Sequence, residues 1–205
     1  MKHILVYAAL ASTMAMLTAC GGGSGSGAES TVPAVAQPFA KYQGAWQAAC
    51  QFHHRETYTL TSSNNATLLS IVDQSNYYDN DDCTGAVVAT GVFSQPIATL
   101  LYASTLSNAT IKLQSGDNIS DTVDRGTGSG SDAQVSFSGS GVTSSVVNGK
   151  TVWHIVYTGG STDVLVDSVS GASPGGLLLR NGQLYFLIAQ ANSNTAFDAS
   201  APLTH

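Results

Sequence analysis

Residues 177–189 read LLLRNGQLYFLIA, in which the pair Asn181-Gly182 separates two apolar runs. Asn-Gly accepts the positive φ angles of a type I′ turn, which suits a two-residue β-hairpin loop. The flanking runs, Leu177–Arg180 and Gln183–Ala189, have strand-like lengths, and no window of the sequence has a helical period with caps at both ends. This stretch therefore predicts a hairpin within an all-β fold.

A second Asn-Gly pair, Asn148-Gly149, predicts another hairpin, between Val142–Val147 and Thr151–Tyr157. Period-two alternation, as at Tyr58 and Leu60, is typical of strands. Further strands are predicted at Ala45–Phe52, Ala66–Val72, Val87–Phe93, Ile97–Leu101, Thr110–Leu113, Gln134–Ser138 and Val164–Val166. Repeated short strands indicate a single antiparallel β-barrel, with a β-sandwich as the alternative.

Charged residues make up only 10% of the chain, and its formal net charge is −6. A net negative protein is repelled by a phosphate backbone, so the composition excludes a basic nucleic-acid binder. Hydrophobic residues make up 43%, which is enough for a folded core. The stretch 116–131 is rich in Gly, Ser and Asp and is predicted to be an exposed loop.

The first twenty residues have the pattern of a secretory signal. Met1–His3 is positively charged, and Ile4–Leu17 is apolar but too short to span a membrane. The run ends in Leu17-Thr18-Ala19-Cys20, which resembles the lipobox of bacterial lipoproteins. The resemblance implies cleavage before Cys20 and a stable anchor of several acyl chains on that residue. Since Gly21 follows rather than Asp, it also implies the outer membrane of the cell envelope, with the leaflet left open.

The sequence divides into three parts. Residues 1–19 are the predicted lipoprotein signal peptide, residues 20–38 the lipidated cysteine and a Gly/Ser/Pro tether, and residues 39–205 a single β domain. The tether begins with seven residues that are only Gly and Ser, a composition that buries no core and behaves as flexible coil.

Two cysteines, Cys50 and Cys83, remain once Cys20 is lipidated. Outside the cytosol, two spare thiols in a small domain usually pair, so a Cys50–Cys83 disulfide is predicted. The alternative is a zinc site that adds His53 and His54 to these cysteines, because Cys-x-x-His is a zinc-like spacing. The disulfide is favoured, and no metal ligand is assigned.

Two further motifs have plain structural interpretations. The acidic stretch 79–82 offers calcium-like oxygen ligands, but it lacks the glycine and the glutamate of an EF-hand loop, and a solvated turn is favoured. Residues 171–175 match G-x-S-x-G, the nucleophile elbow of hydrolases. Because Pro174 follows the serine and a strand comes next, where that elbow needs a helix, a turn is predicted.

Gly44-Ala45-Trp46 opens the predicted body and resembles the Gly-x-Trp of the first strand in lipocalins. Thr162-Asp163-Val164 resembles their second short motif, Thr-Asp-Tyr, with Val in place of Tyr. The resemblance implies that Gly44 and Trp46 form a structural plug at the closed end of a barrel, with the Arg180 cation over the indole face. It further implies a barrel wide enough for one small ligand.

The function predicted from the sequence is a non-enzymatic, membrane-anchored module that binds a small apolar ligand or an envelope protein, without a cofactor. One alternative is a structural envelope component with no ligand. The other is a hydrolase using His154 with Asp163 or Asp167, although no nucleophile setting accompanies them. His154 is predicted instead to be a hydrogen-bonded core residue, and His205 to be frayed.

Overall fold

A computed structural model describes residues 37–63, 66–166 and 174–205. These residues belong to one compact unit, Val35–His205. The described chain is all-β, as predicted, and contains thirteen strands and one 3-10 turn at Ala40–Tyr42. Cys20 and the tether up to residue 36 lie outside the described residues. No helix within the described part of the chain has the length and hydropathy of a membrane span.

The strands vary from 4 to 15 residues in length. In chain order they are β1 (Gly44–Gln47), β2 (His54–Ser62), β3 (Leu68–Tyr78), β4 (Val87–Phe93), β5 (Ala98–Lys112), β6 (Asn118–Gly130), β7 (Val135–Ser138), β8 (Val142–Val147), β9 (Lys150–Val156), β10 (Thr162–Val166), β11 (Gly176–Arg180), β12 (Gln183–Ala189) and β13 (Ala196–Ala199). Both predicted Asn-Gly hairpins are confirmed, as β8–β9 and β11–β12. Asn148 and Asn181 have φ angles of 53° and 52°, as a type I′ turn requires.

Ten strands form one sheet, and β8, β9 and β10 form a second, smaller sheet. The main sheet runs β1-β2-β3-β5-β13-β12-β11-β6, and because β6 also pairs with β5, the last five strands close a ring of hydrogen bonds. The prediction of a wholly antiparallel sheet is wrong at one pair, since β13 runs parallel to β5. A closed ring with an odd number of strands cannot alternate direction throughout, so a five-strand ring must contain a parallel pair.

The stretch 116–131 is not the loop that its composition predicted. Most of it is β6, which pairs with β5 in a long antiparallel hairpin. Val123 is buried in the middle of this strand. Gly126 packs against Leu100 so closely that an added Cβ would lie 2.3 Å from the Leu100 Cγ. The glycine that suggested a loop instead makes room for a core side chain.

Three strand boundaries also differ from the prediction. The strand predicted at Ala45–Phe52 ends at Gln47, and Phe52 lies in a turn. The separate strands predicted at Ile97–Leu101 and Thr110–Leu113 belong to one strand, β5, because register shifts rather than a turn lie between them. β3 continues beyond Val72 to Tyr78 and carries Asp73 on its buried face. The backbone therefore places a carboxylate inside the domain.

Three buried clusters fill the described domain. The ring core takes side chains from all five ring strands: Ala109, Ile111, Val123, Leu178, Tyr185, Leu187, Phe197 and Ala199. The central core comprises Phe39, Tyr42, Trp46, Leu60, Leu69, Ile71, Ala98, Leu100, Leu177, Leu184 and Leu203. The small-sheet core comprises Tyr77, Val88, Ala89, Ile155 and Tyr157. Successive residues of β11 enter different cores, because neighbouring side chains on a strand point to opposite faces.

Leu203 and Thr204 join β12 to β1 through backbone bridges. Leu203 exchanges two hydrogen bonds with Leu184 of β12, and Thr204 exchanges two with Gln47 of β1. This segment brings the first strand and the β11–β12 hairpin to the same central core.

Candidate functional site

An apolar cavity of about 180 Å³ adjoins the central core. Its lining is Tyr58, Ile71, Ile97, Ala98, Pro174, Phe186 and Ile188, from β2, β3, β5, β12 and the segments beside them. Ile71 and Ala98 are each 2% exposed, whereas Ile188 is 63% exposed. The cavity thus extends from an exposed side chain to the buried interior.

The cavity exists because β2 and β12 approach each other across the central core. The rings of Tyr58 and Phe186 meet edge to face, with centroids 5.3 Å apart. Ala98 is the smallest of the lining side chains and leaves room beside this pair. A concave, mostly hydrocarbon surface of this kind suits a small apolar molecule.

Polar side chains continue the face of β2 and β3 that carries the cavity. On β2, Glu56 shares the face of Tyr58, and directly opposite Tyr58 on β3 is Asp73. The Tyr58 hydroxyl donates a hydrogen bond to the Glu56 carboxylate. Asp73 is 5% exposed, and among the described residues its Oδ1 has no hydrogen-bond partner. Such a buried, unsatisfied oxygen is uncommon and marks Asp73 as a candidate functional residue.

The electrostatics of this polar cluster are acidic. Burial raises the pKa of Asp73 to about 7, and the nearby Glu56 carboxylate acts in the same direction. Burial also lowers the pKa of His54, against the opposing effects of Glu56 and Asp163. His54 is therefore mostly neutral at pH 7, and its Nε2 lies 3.9 Å from the Glu56 Oε1.

The small sheet contributes Asp163 to this acidic region. Asp163 pairs with Ile155, whose side chain is in the small-sheet core. Its Oδ2 accepts a hydrogen bond of 2.5 Å from the Tyr157 hydroxyl. Burial raises the pKa of Tyr77 to about 12, and the largest charge effect in the same direction comes from Asp163.

Cys50 and Cys83 form the predicted disulfide, with Cα atoms 5.8 Å apart. The zinc alternative is wrong, because disulfide sulfurs are not thiolate ligands. His53 instead places its Nδ1 2.9 Å from the Tyr78 carbonyl oxygen. Within the described ranges, no group of three or more His, Cys, Asp or Glu residues has the arrangement of a metal site.

The acidic stretch 79–82 forms local structural contacts. Asp79 accepts hydrogen bonds from the backbone and hydroxyl of Thr158, at 2.7 and 2.6 Å. Asp82 accepts bonds from the backbone and hydroxyl of Thr84, at 3.0 and 2.6 Å. These hydrogen bonds lower the pKa of both carboxyl groups. Asp79 thereby ties the turn after β9 to the loop after β3.

An open depression of about 480 Å³ lies beside the disulfide, lined by Cys50, Gln51, Phe52, Asp81 and Asp82. Phe52 is 86% exposed and has a φ of 44°, in a two-residue turn between Gln51 and His54. Since the depression is wide open to solvent, it encloses a small apolar ligand less well than the apolar cavity does.

Trp46 is buried, but the predicted stacking of Arg180 on it is wrong. Its Nε1 donates to the Tyr42 carbonyl oxygen at 2.8 Å. Arg180 binds Asp121, with 2.5 Å between Nη1 and Oδ2, because β11 lies next to β6 in the ring. The ring that stacks on the indole is the imidazole of His205, with ring centroids 3.7 Å apart. The prediction that His205 is frayed is therefore wrong.

The residues of the hydrolase alternative do not come together where the structure describes them. His154 pairs with Val164, and Asp163 pairs with Ile155, so the His154 and Asp163 side chains lie on opposite faces of the small sheet. His154 is half-buried, and its Nε2 lies 3.3 Å from the Ser145 Oγ. Asp167 and residues 171–173 of the G-x-S-x-G match lie outside the described residues.

Sequence reasoning missed the polar cluster because the strand predicted at Ala66–Val72 stopped one residue before Asp73. Continuing the same alternation places Asp73 on the face of Leu69 and Ile71, which is the available signal for a buried acid. On the preceding strand, Glu56 and Tyr58 are two residues apart and therefore share a face, which gives a second signal for an acidic group beside the core. Neither signal indicates that Phe186 of β12 packs against Tyr58 on this face.

Comparison with protein-family models, with curated proteins and with solved structures found no match for this chain. Function must therefore be derived from the site rather than from a fold relationship. The features that bear on it are the apolar cavity and the acidic cluster beside it.

Proposed function

We propose that this protein is a lipid-anchored, non-enzymatic binding protein of the bacterial cell envelope, whose β domain holds a small apolar ligand. The observation that carries the proposal is the apolar cavity between β2, β3, β5 and β12. Its inner wall is buried, and the exposed side chain of Ile188 borders it. This combination gives a ligand both access and shelter from water.

The size of the cavity limits the ligand. Its volume of about 180 Å³ is below the roughly 300–1,000 Å³ of sites for drug-sized molecules. A single ring or a short branched chain therefore suits it. The role proposed for the domain, enclosing a small molecule within a β structure, is the one that the lipocalin resemblance implies. Its cavity nevertheless lies outside the five-strand ring, whose interior is filled by the ring core.

Binding of 4-fluorotoluene to the full-length protein, followed by fluorine NMR, tests the cavity. Ala98→Leu places a larger side chain in the lining and is expected to abolish binding, because Ala98 is buried against the cavity. Ala103→Leu, at an exposed position of the same strand, is the matched control and is expected to leave binding unchanged. Absence of binding to the unaltered protein, or equal binding by both variants, contradicts the proposal.

The anchor is tested separately. Mass spectrometry of the mature protein is expected to show an acylated Cys20 at its N-terminus. Cys20→Ser is expected to move the protein from the membrane fraction to the soluble fraction, because the acyl chains supply the membrane affinity. A mature N-terminus elsewhere, or unchanged partitioning of the variant, contradicts the lipoprotein assignment.

A further inference from the structure

Two buried aspartates of this domain are satisfied very differently. Asp124 is 3% exposed and has three partners: the Tyr42 hydroxyl, the Lys41 ammonium and the Thr105 hydroxyl, all within 2.8 Å. Asp73 is 5% exposed, and its Oδ1 has no partner among the described residues. The fold therefore supplies hydrogen-bond donors to the Asp124 carboxylate but leaves the Oδ1 of Asp73 without a donor.

The unsatisfied oxygen of Asp73 belongs to the face that carries the apolar cavity. Tyr58, directly opposite Asp73, lines the cavity, and so does Ile71, two residues earlier on the same strand. Residues two apart on a strand share a face and are separated by roughly 6.5 Å. The Asp73 carboxylate thus lies two residues along β3, on the same face, beyond the apolar lining. Tyr58 cannot satisfy it, because its single hydroxyl proton is directed to Glu56.

The charges around Asp73 favour a positively charged group. The Glu56 carboxylate acts directly on the pKa of Asp73, and Glu56 and Asp163 both act on His54 of the same β2 face, whose pKa burial lowers so that it is mostly uncharged at pH 7. The neighbouring Arg55 points to the other face of β2, where its guanidinium lies over the Tyr78 ring. A bound cation would therefore meet uncompensated negative charge and no facing side-chain cation among the described residues.

We propose that the ligand of the apolar cavity is a small apolar amine, whose hydrocarbon part fills the cavity and whose ammonium group donates hydrogen bonds to Asp73 beside Glu56. This inference rests on the proposed binding function and adds that the polar group of the ligand is an ammonium. A charge-assisted hydrogen bond to a carboxylate is about twice as strong as a neutral one. An alcohol of the same shape supplies a donor but not the charge, and a hydrocarbon supplies neither.

A matched series of probes tests the amine: 4-fluorobenzylamine, 4-fluorobenzyl alcohol and 4-fluorotoluene, titrated into the full-length protein at pH 8 with detection by fluorine NMR. At this pH the amine is protonated and Asp73, with a pKa of about 7, is mostly ionised. We expect the amine to bind at least tenfold more tightly than either uncharged probe.

Asp73→Asn keeps the shape of the side chain and removes the charge. We expect it to weaken binding of the amine about tenfold and to leave binding of 4-fluorotoluene unchanged, which also shows that the variant is folded. Asp132→Asn, at an exposed aspartate, is the control and should alter neither affinity.

The outcomes separate the two proposals. Equal affinities for amine, alcohol and hydrocarbon, or an amine affinity that Asp73→Asn leaves unchanged, overturn the amine assignment while the apolar binding function stands. Tighter binding of the alcohol than of the amine overturns it as well. If none of the three probes binds, both the amine assignment and the binding function are wrong.

Discussion

The imidazole of His205 lies on the indole of Trp46, with ring centroids 3.7 Å apart and planes inclined by 37°. Trp46 is 1% exposed, and its other contacts include the hydrogen bond from Nε1 to the Tyr42 carbonyl oxygen. Thr204, the residue before His205, is bridged to Gln47, the residue after Trp46. The backbone pairing therefore holds the two rings together.

Removing Trp46 is expected to destabilise the domain strongly. Trp46→Ala should lower the free energy of unfolding by about 3–5 kcal/mol, measured by urea denaturation, because it empties a large volume of the central core. His205→Ala should cost about 0.5–1.5 kcal/mol, the usual range for an aromatic pair.

A double-mutant cycle identifies the partner of Trp46. Coupling between Trp46→Ala and His205→Ala should exceed 0.5 kcal/mol, whereas coupling to Arg180→Ala should stay within about 0.5 kcal/mol, as for independent sites. A larger coupling to Arg180 than to His205 would contradict the observed stacking.

Gly44 is expected to tolerate no side chain. Its φ of 127° is unsuitable for other residues, and an added Cβ would lie 2.8 Å from the His205 Cε1. Gly44→Ala should therefore lower the midpoint of thermal unfolding more than Gly149→Ala, because Gly149 has a φ of 77° and open space around its Cα.

In Gly44→Ala, the effect of the contact between the added Cβ and His205 can be separated from the effect of the positive φ angle. Adding His205→Ala to Gly44→Ala removes the close approach and should restore part of the loss. If the double variant is as unstable as the sum of the two single variants, the contact does not contribute.

Asp73 is expected to make stability depend on pH. Since burial raises its pKa from 3.8 to about 7, the folded state retains a proton that the unfolded state has lost between these pH values. The contribution of Asp73 to the free energy of unfolding is fully present below about pH 4 and is lost as the pH rises through 7. The expected loss is about 4 kcal/mol. Asp73→Asn cannot ionise and should be more stable than the unaltered protein at pH 8 but not at pH 4.

The comparison needs urea unfolding of both proteins at several pH values, since other groups also titrate. Asp132→Asn serves as the exposed control and should follow the profile of the unaltered protein. Parallel profiles for the unaltered protein and Asp73→Asn would show that Asp73 does not titrate in this range.

The disulfide is expected to contribute substantially to stability. Cys50 and Cys83 are 33 positions apart, and cross-linking a loop of this length restricts the unfolded chain by about 3–4 kcal/mol in the chain-entropy treatment. Replacing both cysteines with serine should lower the free energy of unfolding by up to this amount. Dithiothreitol should bring the unaltered protein to the same value and leave the variant unchanged; an unaltered protein insensitive to the reductant would contradict the expectation.

Local sequence determined the strand class, both Asn-Gly hairpins and the pairing of Cys50 with Cys83. Turn chemistry and side-chain alternation act over fewer than about ten residues, so these features can be recognised in the sequence without knowing the rest of the fold. The cysteine pair needed only the count of thiols and the compartment implied by the signal. The end of β3 was not predicted, because Asp73 interrupts an apolar alternation that the backbone continues to Tyr78.

Tertiary structure alone decided what surrounds those strands. The parallel pairing of β5 with β13 follows from closing a five-strand ring, and the apolar cavity exists only because side chains of β12 meet those of β2 and β3. The same long-range pairing gives Trp46 its His205 partner and directs Arg180 to Asp121. Contacts between residues more than 50 positions apart depend on which strands become neighbours. That choice is made by the combined burial of the three cores rather than by any local pattern.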